Sequence, residues 1–177
     1  PTVANNRIHH ARRGIWLDWM TQGTRVTGNL LYDNTTEDLF VEVNHGPFFV
    51  DNNVLFSPLA LRDWSQGGAY VHNLFTGDVD QHPELDRETP YLEPHSTAVA
   101  AVTETEGGDD RFYNNVFVGG TGLATYDDAE RPVWMDGNVF VDGATPSKHE
   151  PSAVHDPEQA PTVELFEEGD AVFLHTD

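Results

Sequence analysis

Cysteine is absent from this 177-residue chain, and basic residues are scarce: nine lysines and arginines stand against 30 acids, with Lys148 the one lysine. Without cysteine there is no disulfide framework, no thiolate metal site and no cysteine nucleophile. A formal charge of −21 repels phosphate backbones and anionic lipid, which excludes nucleic acid and membrane surfaces as ordinary partners. No apolar run approaches the roughly 18 residues of a membrane span. The segment Pro1-Thr2-Val3-Ala4-Asn5-Asn6 has neither the basic nor the apolar region of a signal peptide, so a cytoplasmic location is the expectation. Core-forming residues are not lacking: Ile, Leu, Val and Phe make up about a quarter of the chain, above the floor of roughly 20% for disordered sequences. The length fits one domain.

The acids are unevenly placed. Residues 1–75 hold seven acids against five arginines, and residues 76–177 hold the other 23 against four bases. An Asp/Glu-rich, lysine-poor surface stays hydrated in concentrated salt, where screening removes most of the repulsion, so a halophilic source is the expectation.

A repeat sets the architecture. Asn followed by an apolar pair recurs at Asn29-Leu30-Leu31, Asn53-Val54-Leu55, Asn73-Leu74-Phe75, Asn115-Val116-Phe117 and Asn138-Val139-Phe140, with Asn6-Arg7-Ile8 as a degenerate first copy. The intervals from Asn6 are 23, 24, 20, 42 and 23, the 42 being close to two periods. Short apolar strands with Asn and Gly corners at this period predict an all-β fold, a right-handed parallel β-helix of about six coils. Asn suits the corners because it tolerates the left-handed backbone region and bonds along a stack of equivalents. Leucine-rich repeats share the period but need a leucine pattern that is missing, and no 3.6-residue apolar rhythm is sustained.

The helix is expected over residues 1–145. Within it, 76–95 reads as an irregular loop, since Pro83, Pro90 and Pro94 oppose a regular ladder; Ser96 to Val102 then reads as the strand of a hidden coil. Residues 146–177 read as an irregular tail ending in a β-hairpin, Val163 to Phe166 with Ala171 to Leu174 around Glu167-Glu168-Gly169-Asp170.

Superimposing the first two coils puts Gly14-Ile15-Trp16-Leu17-Asp18-Trp19 over Asp38-Leu39-Phe40-Val41-Glu42-Val43 at an offset of 24. Side chains alternate along a strand, so inward Ile15, Leu17, Leu39 and Val41 leave Trp16, Asp18, Phe40, Glu42 and Asn44 facing outward together. Adjacent strands lie about 4.8 Å apart, which would bring the Asp18 and Glu42 carboxyls to roughly 5 Å, the separation of a retaining glycosidase. Like charges that close do not ionise independently, so one is expected to hold a proton near neutral pH. Stacked acids are otherwise a solvated face or a calcium site. In the third coil, Ala60, Arg62 and Trp64 fall outward, with Arg62 extending the carboxylate column. Exposed indoles at Trp16 and Trp64 suit the C–H face of a pyranose. His10, Asn44 and His45 are candidates for bonds to sugar hydroxyls or for support of Asp18. His9-His10 lacks the spacing and third ligand of a metal site, so neither a metal nor another cofactor is expected.

These stretches, with Asn44-His45-Gly46-Pro47, Thr89-Pro90-Tyr91, Pro94-His95-Ser96-Thr97 and Gly107-Gly108-Asp109-Asp110-Arg111-Phe112-Tyr113-Asn114-Asn115, resemble glycoside hydrolase family 120, β-xylosidases built on a right-handed parallel β-helix with an associated β-sandwich. The resemblance implies an exo-acting, retaining β-xylosidase on xylo-oligosaccharides, with Asp18 as nucleophile, Glu42 as general acid/base and His95 folding back over the subsite. It also implies that the chain is a C-terminal portion of a longer enzyme, whose open helix end a missing N-terminal part or a second copy would cap. A polysaccharide lyase or epimerase on the same fold needs a base beside a uronate, and no lysine precedes Lys148. A non-catalytic carbohydrate-binding β-helix would bind sugar without turnover. From the acidity, thermal unfolding is expected at a markedly lower temperature in dilute buffer than in molar potassium chloride; identical melts would dismiss the halophilic reading.

Overall fold

A computed structural model describes residues 1–177. The chain winds through three parallel sheets, one of six strands, one of seven and one of four, with a single 3₁₀ turn at Ala124–Tyr126. The first four turns pass from a strand of the six-stranded sheet, round a sharp corner, into the seven-stranded sheet, and then into the four-stranded one, and the later turns keep only the first two of these strands. The parallel β-helix of about six turns read from the repeat is therefore the fold, followed by an antiparallel C-terminal hairpin, Val163–Glu168 with Ala171–Thr176.

The repeated asparagines form one continuous stack at the sharp corner. Asn6, Asn29, Asn53, Asn73, Asn115 and Asn138 each donate Nδ2 to Oδ1 of the next over five bonds of 2.9–3.0 Å. Each Oδ1 also accepts the backbone N–H of the preceding ladder residue at 2.9–3.0 Å. Asn138 ends the row and gives Nδ2 to Glu150 Oε2 at 2.5 Å. The left-handed residue at the corner is not the ladder asparagine but the one before it: Asn5, Gly28, Asn52, His72, Asn114 and Gly137 have φ of 55–70°. That residue bends the chain, which frees the following Asn to point inward and stack.

The interior fills by columns. Leu31, Leu55, Phe75, Phe117 and Phe140 are in register in the seven-stranded sheet, and the three phenylalanines stack at 4.8 and 4.9 Å, the spacing of the strands themselves. Val26, Val50, Tyr70, Phe112 and Met135 fill the six-stranded side, all essentially buried. Burial of each large side chain contributes about 1.5–3 kcal/mol.

Four expectations change. Residues 76–95 are not an irregular loop: Asp78–Gln81 is the fourth strand of the four-stranded sheet, and Glu84–Leu92 pairs antiparallel with Val99–Thr105. The prolines are tolerated because a two-stranded ribbon has only edges. Ser96 to Val102 is thus the return of a hairpin and not a hidden coil. The strand Gly68–Val71 pairs directly with Arg111–Tyr113, so the interval of 42 is a single turn carrying an inserted ribbon. Beyond residue 145 the chain still follows the helix for one strand, Val154–Asp156 against Val139–Val141, and its hairpin then returns to the first coils, where Glu167 meets Arg7 at 2.6 Å and the Tyr32 hydroxyl at 2.5 Å.

One column breaks the apolar rule. Asp63 occupies the inward position over Val41 and is fully enclosed, accepting hydroxyls from Tyr70 at 2.9 Å and Tyr126 at 2.7 Å. Asp110 is equally buried and accepts the Gly68 N–H at 2.7 Å. Burial raises the pKa of both, and the charge of Asp63 pushes Asp110 higher still. The fold then holds protons that the unfolded chain releases above about pH 4, so this contribution to stability is lost as pH climbs through the raised folded values. The Tm of Asp110→Asn should fall less steeply with rising pH than that of the parent; equal slopes by calorimetry would contradict it. In the ladder, Asn73→Ala strands several buried partners and should cost about 3 kcal/mol in chemical denaturation.

Candidate active site

The four-stranded sheet carries the predicted residues. Arg13–Leu17, Glu37–Glu42, Leu59–Trp64 and Asp78–Gln81 lie side by side, with Ile15 over Leu39, Trp16 over Phe40 and Leu17 over Val41. The offset of 24 therefore holds, and Asp18, one residue past its strand, follows on beside Glu42. Trp16 is 48% exposed, lies parallel to Phe40 at 6.0 Å and donates its indole N–H to Glu42 Oε2 at 3.0 Å. Asp18 is more open than Glu42, with side-chain exposures of 47% and 14%, and its Oδ1 accepts the Trp19 N–H at 2.8 Å. Trp19 is itself 53% exposed, so two indoles border the acids.

A residue that sequence reasoning missed joins the pair. Arg87, on the inserted ribbon, places Nη1 2.5 Å from Glu42 Oε1 and Nη2 3.8 Å from Asp18 Oδ1. Both carboxylates thus face outward into reach of one guanidinium. In the sequence Arg87 is a lone base among Asp86, Glu88 and the prolines, and nothing in that stretch shows that the ribbon folds back by two turns.

Arg62 does not extend the carboxylate column. The register pairs it with Phe40 and pairs Trp64 with Glu42, because the third strand is offset by 22 residues, whereas setting Arg62 against Glu42 takes an offset of 20. Arg62 instead binds Glu37 at 3.0 Å and Asp80 at 3.3 Å. Glu37, wholly buried, is gripped from the other side by Arg13, whose guanidinium lies over the Trp16 ring at 4.7 Å. Trp64 takes the position expected of Arg62, packs edge-on to Phe40 at 5.4 Å and donates to Asp80 at 3.3 Å. Ala60, expected outward, is fully buried.

At the corner after Glu42 the alternation stops. Val43 is left-handed, at φ 46°, and Asn44 turns into the structure with no exposed surface, so it is not available to a sugar. His45 turns toward the ribbon: Nε2 lies 2.9 Å from Thr89 Oγ1 and Nδ1 lies 3.2 Å from the Gln66 amide. Burial lowers the His45 pKa, which leaves a neutral ring at pH 7. Between the ribbon tip and the six-stranded sheet opens a cleft of about 1120 Å³, bordered by His45, Phe48, Tyr91, His95, Asp109 and Arg111. His95 borders this cleft. Residues of the stretches 44–47, 89–91, 94–97 and 107–115, which help carry the family resemblance, supply its walls. His10 is separated from the acids by the length of the Arg13–Leu17 strand. It lies against His9, Nδ1 to Nδ1 at 2.6 Å, in a small pocket with Tyr32 and Glu167. No group of three or more His, Asp and Glu gathers as a metal site.

Comparison with known proteins places this geometry. No protein-family model and no curated protein matches the chain. A solved structure of XylC in complex with xylose matches 99% of the chain with a TM-score of 0.92 and 38% sequence identity. The chain spans 32% of the length of XylC. The similarity thus runs through the β-helix, the inserted ribbon and the tail, and the resemblance seen in the sequence extends over the whole chain.

Proposed function

We propose that the chain carries the catalytic carboxylates of a retaining exo-β-xylosidase that acts on xylo-oligosaccharides. The observation that supports this reading is the register of Arg13–Leu17 on Glu37–Glu42, with Asp18 following Leu17 as Glu42 follows Val41, both acids within reach of Arg87 and exposed Trp16 and Trp19 beside them. The likeness to XylC, solved with xylose, supports the choice of sugar.

In this mechanism Asp18 attacks the anomeric carbon while Glu42 gives its proton to the departing glycosidic oxygen, forming a xylosyl ester on Asp18. Glu42 then takes a proton from water, which attacks the same carbon and releases xylose with its configuration retained. The Trp16 N–H holds Glu42 in place, and its ring, with that of Trp19, offers apolar faces to the pyranose. No metal or cofactor is required by these steps. His45 and His95 are assigned to the neighbouring cleft, where further sugar units of the substrate would lie. Because the chain spans about a third of XylC, the remaining walls of the pocket are assigned to other parts of the full protein.

The test is hydrolysis of xylobiose and of an aryl β-xyloside by the full protein, with the anomer released followed by NMR. Asp18→Ala should abolish turnover on both. Glu42→Gln should lose about 10²–10⁴-fold on xylobiose and less on an aryl xyloside whose leaving group departs without a proton. Release of the inverted anomer, or an active Asp18→Ala variant, would defeat the proposal. His95→Ala should raise KM for xylotriose more than for the aryl xyloside.

A further inference from the structure

We infer that Arg87 is a positioning residue of this site: a displaceable counter-ion that aligns Asp18 and Glu42 in the free protein and yields its place to the sugar. The inference rests on the function proposed above.

Arg87 reaches both acids with separate nitrogens, at 2.5 and 3.8 Å. It thereby touches both the proposed nucleophile and the proposed acid/base, and it holds positive charge against the pair. The oxocarbenium-like transition state of glycoside transfer develops positive charge at that same place. A site shaped around a cation held by two carboxylates is therefore electrostatically prepared for the reaction, once the guanidinium is out of the way.

The backbone provides the means of displacement. Within the ribbon, Glu84 pairs with Thr105 and Thr89 with Thr103, so the register slips between them. Four residues of one strand, 85–88, oppose a single residue of the other and bulge outward. All four are exposed, in contrast to Thr89, which is buried and donates its hydroxyl to the Val43 carbonyl at 3.2 Å. Arg87 thus sits on a bulge outside the paired ladder, next to a fixed anchor. A bulge of this kind interrupts the ladder locally and re-aims a side chain.

The other charged groups nearby are already engaged or face away from the gap. Arg13 and Arg62 bind Glu37, Asp80 binds Arg62 and the Trp64 indole, and His82 packs against Trp64. Asp86 and Glu88 flank Arg87 on the exposed bulge. Arg87 is the cation that touches the catalytic pair.

The test compares the parent with R87A and R87K. The pH profile of kcat/KM reports the ionisation of the free protein's nucleophile and acid. Loss of an adjacent cation favours the protonated form of both carboxyls. Both limbs of the R87A profile should therefore move to higher pH, by about one unit, and R87K, which keeps the charge, should bring them back toward the parent. A profile lowered in height but unmoved would mean that Arg87 serves only the structure, and would overturn the inference. Titration of ¹³C-labelled side-chain carboxyls in parent and R87A reads the same effect without turnover. If no xyloside is hydrolysed, the functional reading fails while the carboxyl midpoints still decide the role of Arg87: movement of both upholds it, and stationary midpoints refute it.

Discussion

The stack of six asparagines is the constraint on which the molecule depends. Sheets of short strands, two to six residues in the helix, have little pairing of their own to fix which residue faces which. The asparagine row supplies that registration. Each side chain accepts a backbone N–H and a neighbouring amide, so a slip by one residue at any turn would strand several buried groups at once, at about 1–3 kcal/mol each. Inward columns of valine, leucine and phenylalanine then stack because the row has already aligned them. The end of the row is closed by Glu150, whose carboxylate replaces the missing seventh amide.

The same registration sets the geometry of the acids. Trp16 lies over Phe40 and Asp18 beside Glu42 because the ladder advances by 24 residues between the second and third of its asparagines and by 23 between the first and second. Adjacent rungs of a parallel sheet offer a separation that a two-carboxylate mechanism can use, and no loop has to be held in place to obtain it. The inserted ribbon adds what a bare sheet lacks, a wall along the corner and a cation over the pair. Most of the charge of −21 lies in residues 76–177, and the function proposed above uses two of the 30 acids.

Much of this was legible in the sequence, and the losses have local causes. Repetition of Asn before an apolar pair revealed the coil, and a constant offset revealed which acids share a face. Particular positions escaped for reasons that can be named. Arg62 was misplaced because the third strand is offset by 22 residues and not by the 20 that would set it against Glu42, so it falls two residues short along the strand. Asn44 was misplaced because strand alternation was extended through Val43, where a left-handed residue ends it. Arg87 was invisible because its partners lie 45 and 69 residues away on a ribbon whose prolines resemble a loop, and antiparallel pairing across a chain reversal leaves no periodic signal.

The return of the C-terminal hairpin to the first coils changes the mechanics of the molecule. A stack of repeats is a one-dimensional array in which each unit feels only its neighbours, and such an array can fray turn by turn. Here Glu167 grips Arg7 and Tyr32, more than a hundred residues earlier in the chain. The array is thereby closed into a loop. Opening of the first coils is then linked to release of the hairpin, since each has to break the same contacts.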